Sequence, residues 1–253
     1  MTPQIKADLL IHEGYAQIIF HNPKGNSLPS SLLNEITKSI VSLNHNDDVK
    51  VIIIQSEGNV FCGGASFDEL SNLKDFEAGK KFFMGFADLF LAIKNSPKLI
   101  VAKIHGKCVG AGVGLAAACD YSLASANASV KLSELSLGIG PFVIGPVLER
   151  KIGLSNLAKL AIEGEWLSAE WAFNAGLFSR ITFSNEEMER DIDQIIKKFL
   201  NANPEALKEL KNTLWKGTEN WSTELEERAA LSGSLVLSPF VKDFINKFKD
   251  SYK

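Results

Sequence analysis

Three clusters of glycine mark the places where the backbone of this 253-residue chain could do chemistry. Glycine is used where the backbone takes unusual dihedral angles or approaches a ligand closely. Two loops of this kind can each point one backbone N–H at the same carbonyl oxygen, which makes an oxyanion hole for an enolate or a tetrahedral intermediate. The alternative is that the glycines only form tight turns. The clusters are Gly58/Gly63/Gly64, Gly106/Gly110/Gly112/Gly114 and Gly138/Gly140/Gly145.

An oxyanion hole needs a general base beside it, and Glu134 is the candidate. It lies in the segment 130–141, whose other residues are mostly apolar or small. Such surroundings disfavour the charged carboxylate and raise its pKa, which makes it a better base near neutral pH. The alternative is an ordinary solvated glutamate at the end of a strand.

Several other catalytic and binding patterns are absent from the sequence. The spacing Gly110-x-Gly112-x-Gly114 is not the G-x-G-x-x-G of dinucleotide sites, and no phosphate-binding G-x-x-x-x-G-K-[ST] occurs. The G-x-S-x-G of serine hydrolases and the Cys/His clusters of zinc sites are also missing. With 27 Lys and Arg against 30 Asp and Glu, the net charge is −3, so we expect no nucleic-acid partner.

Composition and cysteine usage predict a globular protein of the cytoplasm. No apolar run reaches the roughly 18 residues that a membrane span needs, and residues 1–6 lack the features of a secretion signal. The three cysteines, Cys62, Cys108 and Cys119, are an odd number without a close pair, which is typical of reduced thiols. We therefore expect a cytoplasmic protein with no membrane segment and no bound metal.

The elements that must position the glycines alternate between strand and helix. Strands are predicted at 7–11, 15–20, 49–55 and 99–104, helices at 31–43, 76–94 and 113–119, and loops at 22–26 and 58–66. The strands at 49–55 and 99–104 each contain a continuous apolar run, at 51–54 and 99–102, which is typical of strands buried on both faces. The alternation predicts an α/β fold with a largely parallel sheet.

Helical patterns dominate the last third of the chain. Ser168 begins a helix over 167–175, and Ser184 with Glu187 forms a capping box for a helix that ends near residue 201. Asn203-Pro204 and Ser238-Pro239 begin two more helices. A helical tail of this kind either packs on a neighbouring subunit or covers its own core. In the middle of the chain, Phe82, Phe83, Phe86 and Phe90 have helical spacing and predict either core or the wall of a pocket.

Four segments in order resemble the motifs of the crotonase superfamily, the enoyl-CoA hydratase/isomerase group, over essentially the whole chain. Residues 61–66 resemble its F-C-x-G-A-D oxyanion segment, and 103–115 resemble x-I-x-G-x-x-x-G-G-G-x-x-L. Residues 133–141 resemble P-E-x-x-L-G-x-x-P, and 22–24 resemble an early x-P-K. Each motif is weak alone, and together they are highly specific.

This resemblance implies a crotonase-like spiral of ββα repeats over 1–184 that binds acyl-CoA, with a C-terminal helical region over 185–253 for trimer contacts and site cover. It implies an acyl-CoA thioester substrate, no cofactor, and self-association as a homotrimer or hexamer. The oxyanion donors would be the N–H groups of Ala65 and Ala111, and Lys24 would lie near the CoA phosphates or adenine. The other substrate-binding residues that it implies are Gly63, Gly64, Gly110, Gly112, Gly114, Pro141 and Phe142.

Departures from the family pattern carry the functional prediction. Hydratases of the family hold a water between two glutamates, and here the first position is Gly114 and the second is Glu134. One base is enough to move a proton between two carbons of an enolate, so we expect isomerisation of a 3-enoyl-CoA to a 2-enoyl-CoA. The run 132–142 also resembles the isomerases. Ser66 stands where the family has Asp, and Ala111 where it has the middle Gly of G-G-G; Ala111 still supplies an N–H.

Three alternatives share the fold or the ligand. An enoyl-CoA hydratase could hold its water by backbone groups or another side chain. A related acyl-CoA decarboxylase needs the oxyanion hole and no base, so Gly114 does not exclude it. A non-catalytic acyl-CoA-binding protein is the alternative from a different class, and Glu134 with the glycine clusters argues against it.

Overall fold

Two sheets form the centre of the fold in a computed structural model that describes residues 4–250. The larger sheet contains, in spatial order, β1 (Lys6–Ile11), β2 (Gly14–His21), β3 (Val49–Ser56), β5 (Leu99–Ile104), β7 (Tyr121–Ser125) and β10 (Arg180–Thr182). The smaller sheet contains β4 (Val60–Cys62), β6 (Lys107–Val109), β8 (Ser129–Lys131) and β9 (Leu167–Ser168). Only the β1–β2 and β8–β9 pairs of these two sheets are antiparallel.

The chain winds as a spiral because each repeat contributes one strand to each sheet. β3 is followed by β4, β5 by β6, and β7 by β8, and a helical segment closes each repeat. The helices of this part are α1 (Ser30–Leu43), α2 (Phe67–Leu70), α3 (Phe76–Asn95), α4 (Ala111–Ala118), α5 (Glu134–Leu137), α6 (Gly145–Glu163) and α7 (Ala169–Asn174). This is the α/β architecture of ββα repeats that the resemblance implies.

Alternate residues of β3 face two different cores, which explains its continuous apolar run. Ile52 and Ile54 belong to the main core, together with the buried phenylalanines of α3. Val51 and Ile53 belong to a second core on the opposite face of the strand, where they meet Ile192 of the C-terminal region. The prediction that this strand is buried on both faces is therefore confirmed.

Some short elements were not predicted from the sequence. The predicted loop 58–66 contains β4, so that prediction is wrong over 60–62. Strands of two or three residues are too short to show a period of two. Helix α6 has no predicted counterpart, because it is only weakly amphipathic and is interrupted at Gly153, whose φ of 73° and ψ of 160° are not helical. Helix α4 begins at Ala111, two residues before its predicted start.

Between residues 185 and 250, the C-terminal region contains four helices: α8 (Asn185–Leu200), α9 (Pro204–Leu214), α10 (Trp221–Leu235) and α11 (Pro239–Asp250). The predicted caps form, since the Ser184 hydroxyl accepts from the Glu187 N–H at 3.1 Å and the Ser168 hydroxyl from the Trp171 N–H at 3.1 Å. Helix α10 packs on α3. The backbones meet where a Cβ on Gly233 would lie 2.4 Å from the backbone nitrogen of Lys80.

A buried ion pair joins α9 to the core. Nζ of Lys211 lies 2.6 Å from Oδ2 of Asp120 and also donates to the carbonyl oxygen of Ile93 at 2.9 Å.

The division of the chain at 184/185 and the trimer contacts stay predictions. Residues 1–3 and 251–253 lie outside the described residues. They are part of the predicted ranges 1–184 and 185–253, and residues 1–3 are also part of the segment 1–6 that we expect to lack a secretion signal. Within the described part of the chain, no helix is both long and apolar enough to cross a membrane.

Candidate active site

A cavity of about 340 Å³ lies where the ends of β4 and β6 meet α3, α5 and the last two helices. This volume falls within the usual range for ligand pockets. Its polar lining consists of the Glu134 carboxylate and two serine residues, Ser133 and Ser232. The rest of its side chains are apolar: Ala65, Phe67, Leu70, Phe83, Phe86, Val109, Ala111, Leu137, Ile139, Pro141, Val143, Ile144 and Phe244.

The backbone N–H groups of Ala65 and Ala111 can form the predicted oxyanion hole. The two residues follow β4 and β6, which are adjacent parallel strands, so their loops leave the small sheet side by side. A Cβ on Gly64 would lie only 3.8 Å from the backbone nitrogen of Ala111, which shows how closely the loops approach. Within the described residues, neither N–H donates a hydrogen bond. Both donors are therefore free for a ligand oxygen.

Local geometry explains why Ala111 has a free N–H. It is the first residue of α4, whose first N–H groups have no acceptor within the helix and carry its partial positive charge. Gly110 precedes it with φ of 51° and ψ of −114°, a conformation that residues with a Cβ rarely adopt. The Gly110 N–H donates to the carbonyl oxygen of Lys131 at 2.9 Å. This bond ties the oxyanion loop to the segment that carries Glu134.

Glu134 places its carboxylate against the backbone of Gly110. A Cβ on Gly110 would lie 2.4 Å from Oε1 of Glu134. Oε2 is shut off from solvent and has no hydrogen-bond partner among the described residues, although the residue as a whole is half-buried. Burial raises the pKa of Glu134 from 4.5 to about 7, and the nearby N–H groups of Glu134 and Ser133 oppose this only in part. The carboxyl group therefore exchanges a proton near neutral pH.

A single helical turn holds Glu134 in place. Helix α5 begins at Glu134 and ends at Gly138, whose φ of 86° is left-handed. The carbonyl oxygen of Glu134 accepts from the N–H groups of Ile139 at 3.0 Å and Gly140 at 3.2 Å. The position is thus the start of a helix and not the end of a strand.

The structure brings together most of the predicted site residues, but not all. Ala65, Ala111, Glu134, Gly63, Gly64, Gly110 and Pro141 line the cavity. Lys24 and Phe142 are not among the lining residues: Lys24 is exposed and pairs with Asp68, and the Phe142 ring packs on Gly140.

Two predicted binding glycines are packing positions in the structure. A Cβ on Gly112 would lie 2.7 Å from Cβ of Cys62, so this glycine lets α4 approach β4. A Cβ on Gly114 would lie 2.8 Å from Cγ2 of Ile144 and 3.1 Å from Cζ of Phe90. The space beside Gly114 is therefore filled, and no side chain of glutamate size fits there without displacing the core.

The residues that sequence reasoning missed are the apolar walls from distant parts of the chain. Val143 and Phe244 had no signal, because which side chains meet a cavity depends on long-range packing. The phenylalanine stripe did give a signal: all four rings are buried, and Phe83 and Phe86 also line the cavity. Both predicted readings of the stripe, core and pocket wall, therefore apply.

Other reactive groups and cavities offer less chemistry. Burial raises the pKa of the Cys62 thiol to about 12, and the pKa of the Cys108 thiol is also raised, so neither is a nucleophile at neutral pH. No group of three or more His, Cys, Asp or Glu among residues 4–250 has a geometry for a metal. A groove of about 440 Å³ between the large sheet and α8 and α9 is larger, but both of its acids are paired, Asp191 with Arg180 at 2.7 Å and Asp120 with Lys211 at 2.6 Å.

Comparisons with known proteins bear on the family of this chain. The family model for "Enoyl-CoA hydratase/isomerase" matches residues 11–250. The chain is 30% identical over 247 residues to a Bacillus subtilis protein described as "Probable enoyl-CoA hydratase", covering 97% of this chain and 96% of that protein. It is 25% identical over 250 residues to the trans-2-decenoyl-[acyl-carrier-protein] isomerase of Streptococcus mutans, covering 96% and 92%.

Solved structures show the same fold. The crystal structure of an enoyl-CoA hydratase from Bacillus halodurans matches with a TM-score of 0.88 over 95% of this chain and 99% of that one, at 23% identity. At this identity the likeness concerns the fold alone. The match of the family model over nearly the whole sequence, together with the 30% identical relative, decides the family. The chain belongs to the enoyl-CoA hydratase/isomerase family of the crotonase superfamily.

Proposed function

We propose that this protein is an isomerase that converts a 3-enoyl-CoA to a 2-enoyl-CoA with Glu134 as its one base. The observation that carries the proposal is that Glu134 is the single titratable side chain among the described residues lining the cavity. The position of a second glutamate is Gly114, whose side-chain space is filled by Ile144 and Phe90. Moving a proton between two carbons needs one base, whereas holding a water for addition uses two carboxylates in the hydratases of this family.

The first step is removal of a proton from the α-carbon. The thioester oxygen accepts hydrogen bonds from the N–H groups of Ala65 and Ala111, which stabilise the enolate as the α-carbon loses its proton to Glu134. One oxyanion donor is typically worth about 3 kcal/mol of transition-state stabilisation, and a positioned base contributes roughly 10²–10⁴-fold. Because its pKa is about 7, Glu134 is largely ionised just above neutral pH.

The second step returns the same proton at the γ-carbon. The electron pair of the enolate moves so that the 3,4 double bond becomes a 2,3 double bond, and the protonated Glu134 gives its proton to the γ-carbon. No water is added and no oxidant or reductant is needed. We accordingly propose that the enzyme works without metal or cofactor, on a CoA thioester, as a homotrimer or hexamer in the cytoplasm.

A mass-spectrometric assay in D₂O tests the proposal. Wild type, Glu134→Gln and the matched control Glu165→Gln, an exposed loop glutamate, are each given 3-enoyl-CoA or 2-enoyl-CoA. Because the Streptococcus mutans relative is named for an acyl-carrier-protein substrate, the same acyl chains on a carrier protein form a second arm. We expect 2-enoyl product without the mass of an added water, lost in Glu134→Gln and retained in Glu165→Gln.

Two results would overturn the proposal. Rapid formation of 3-hydroxyacyl-CoA from the 2-enoyl substrate would mean that the enzyme is a hydratase that activates water without a second glutamate. Near-normal isomerisation by Glu134→Gln would remove Glu134 from the mechanism.

A further inference from the structure

We propose that Ser232 makes the cavity selective for an acyl chain that carries a neutral oxygen, a hydroxyl or a keto group, over a plain alkyl chain. The inference rests on the proposed function, because it takes the cavity as the acyl site. Ser232 is a cavity-lining residue on α10 and is only 1% exposed. Its Oγ is shut off from solvent and has no hydrogen-bond partner among the described residues, so a ligand oxygen meets it once the hydroxyl turns about the Cα–Cβ bond toward the cavity.

An unpartnered serine hydroxyl inside a helix is unusual. A helical serine or threonine commonly donates its hydroxyl to a carbonyl oxygen three or four residues earlier. This protein follows that habit elsewhere, since Oγ of Ser42 donates to the Ser39 carbonyl at 2.8 Å and Oγ1 of Thr213 to the Glu209 carbonyl at 2.8 Å. Ser232 does not, although burial of an unsatisfied hydroxyl is costly. Buried polar groups without a partner call for an explanation, and a ligand is one.

Placement in the fold separates Ser232 from the reacting atoms. The oxyanion donors and Glu134 belong to the loops after β4 and β6 and to α5. Helix α10 packs on α3, which supplies Phe83 and Phe86 to the same cavity. With the thioester carbonyl held at Ala65 and Ala111, Ser232 therefore meets the acyl chain and not the thioester. A hydroxyl turns about one bond and both donates and accepts, so it suits an alcohol or a ketone oxygen.

Charge decides between a neutral oxygen and a carboxylate on the chain. The described lining of the cavity contains no Lys, Arg or His, and it already contains Glu134. A second carboxylate would be buried without a counter-ion and beside a like charge, which is strongly unfavourable. A hydroxyl or keto oxygen carries no such penalty and satisfies Ser232.

Equilibrium binding of saturated acyl-CoA thioesters tests the inference without requiring turnover. Each ω-hydroxyacyl-CoA of increasing chain length is paired with the alkyl compound in which a methyl replaces the hydroxyl, and keto compounds form a second series. At the length where the oxygen reaches Ser232, we expect wild type to bind the hydroxyl compound about 10-fold more tightly than its partner, the size of one satisfied buried hydrogen bond.

Variants on the same helix identify the residue. In Ser232→Ala the preference should fall to about one or reverse, because alkyl chains no longer bury an unpaired hydroxyl. Ser234→Ala, exposed two residues away, should keep the wild-type preference, and Ser232→Cys serves where Ser232→Ala does not fold. Equal binding of every pair by wild type, or an unchanged preference in Ser232→Ala, overturns this inference alone. Failure of all acyl-CoA compounds to bind overturns the proposed function as well.

Discussion

Oε1 of Glu134 occupies the space that a side chain at residue 110 would need, because a Cβ on Gly110 would lie 2.4 Å from that oxygen. Gly110 also precedes Ala111, whose N–H is one of the two free donors. A single backbone contact thus sets the position of the proposed base relative to the proposed oxyanion donors. Two features of this position require glycine: its φ of 51°, and the Glu134 oxygen that occupies the space of a side chain.

Gly110→Ala should therefore damage catalysis more than stability. The new methyl displaces the Glu134 carboxylate, and a shift of about 1 Å at a reacting group can cost roughly 10²-fold in rate. The matched control is Gly58→Ala, where φ is also positive at 81° but no atom lies within 4 Å of the added Cβ. Both variants should lose roughly 1–3 kcal/mol to backbone strain. We expect kcat/KM to fall about 100-fold only in Gly110→Ala, and an equal fall in both variants would contradict this.

The activity should depend on pH through Glu134. Only the ionised carboxylate accepts the α-proton, and burial raises its pKa to about 7. The kcat/KM for 3-enoyl-CoA should therefore rise with pH through about 7 and then level off. Rates measured from pH 4 to 9, with denaturation checked at each pH, give the profile. An acid limb near 4.5 would mean that Glu134 is not the titrating group.

Ionisation of Glu134 should also change the folding stability, and in the direction opposite to its effect on activity. In the unfolded chain Glu134 loses its proton near 4.5, whereas in the folded protein it keeps the proton up to about 7. The unfolded state binds fewer protons in this window, so folding stability falls as pH rises from 4.5 to 7. Glu134→Gln removes this loss. It should be more stable than wild type by roughly 3 kcal/mol at pH 8 and about equal to it at pH 4.

Denaturant unfolding of the two proteins at pH 4 and pH 8 measures this difference. Glu165→Gln is again the matched control, because an exposed glutamate has no buried charge to lose. A stability difference between Glu134→Gln and wild type that does not change with pH would show that packing, and not ionisation, is responsible.

The family resemblance predicted Ala65, Ala111 and Glu134 as site residues, and the structure places all three in the lining of one cavity. The free N–H groups at Ala65 and Ala111 require glycine on the preceding residue, and Glu134 stands in an apolar segment with a glycine at its end. Long β-branched strands such as β3 were equally clear. These features depend on residues that are neighbours in the chain, so local pattern was sufficient to indicate the two loops and a candidate base, whereas the two donor residues came from the family motifs.

The acyl-binding walls could not be predicted in this way. Pro141 lines the cavity while the next residue, Phe142, packs on Gly140, and nothing local tells which of the two faces inward. Phe244 reaches the cavity from about 110 residues beyond Glu134 in sequence. Gly112 and Gly114 match a binding motif, yet their lack of side chains serves the packing of α4. Long-range contacts decide all of these positions.

The packing around Gly114 leaves little space for a larger side chain at the position where hydratases of the family have their first glutamate. A Cβ there would lie 2.8 Å from Cγ2 of Ile144 and 3.0 Å from its Cβ, so Gly114→Ala overpacks the core. Overpacking typically costs about 1–3 kcal/mol. In Gly85→Ala, also inside a helix, the nearest atom is a flexible Leu33 methyl at 3.1 Å. We expect Gly114→Ala to be less stable than Gly85→Ala by about 1–3 kcal/mol in denaturant unfolding.

Gly114→Glu should then fail to create a hydratase. The larger side chain displaces Ile144, which itself lines the cavity, so both stability and isomerisation should fall and 2-enoyl-CoA should gain no water. The assay is the formation of 3-hydroxyacyl-CoA by Gly114→Glu against wild type. If the variant hydrates 2-enoyl-CoA, then Ile144 and Phe90 can move aside, and the absence of a second carboxylate, rather than the filled space, is what separates this enzyme from a hydratase.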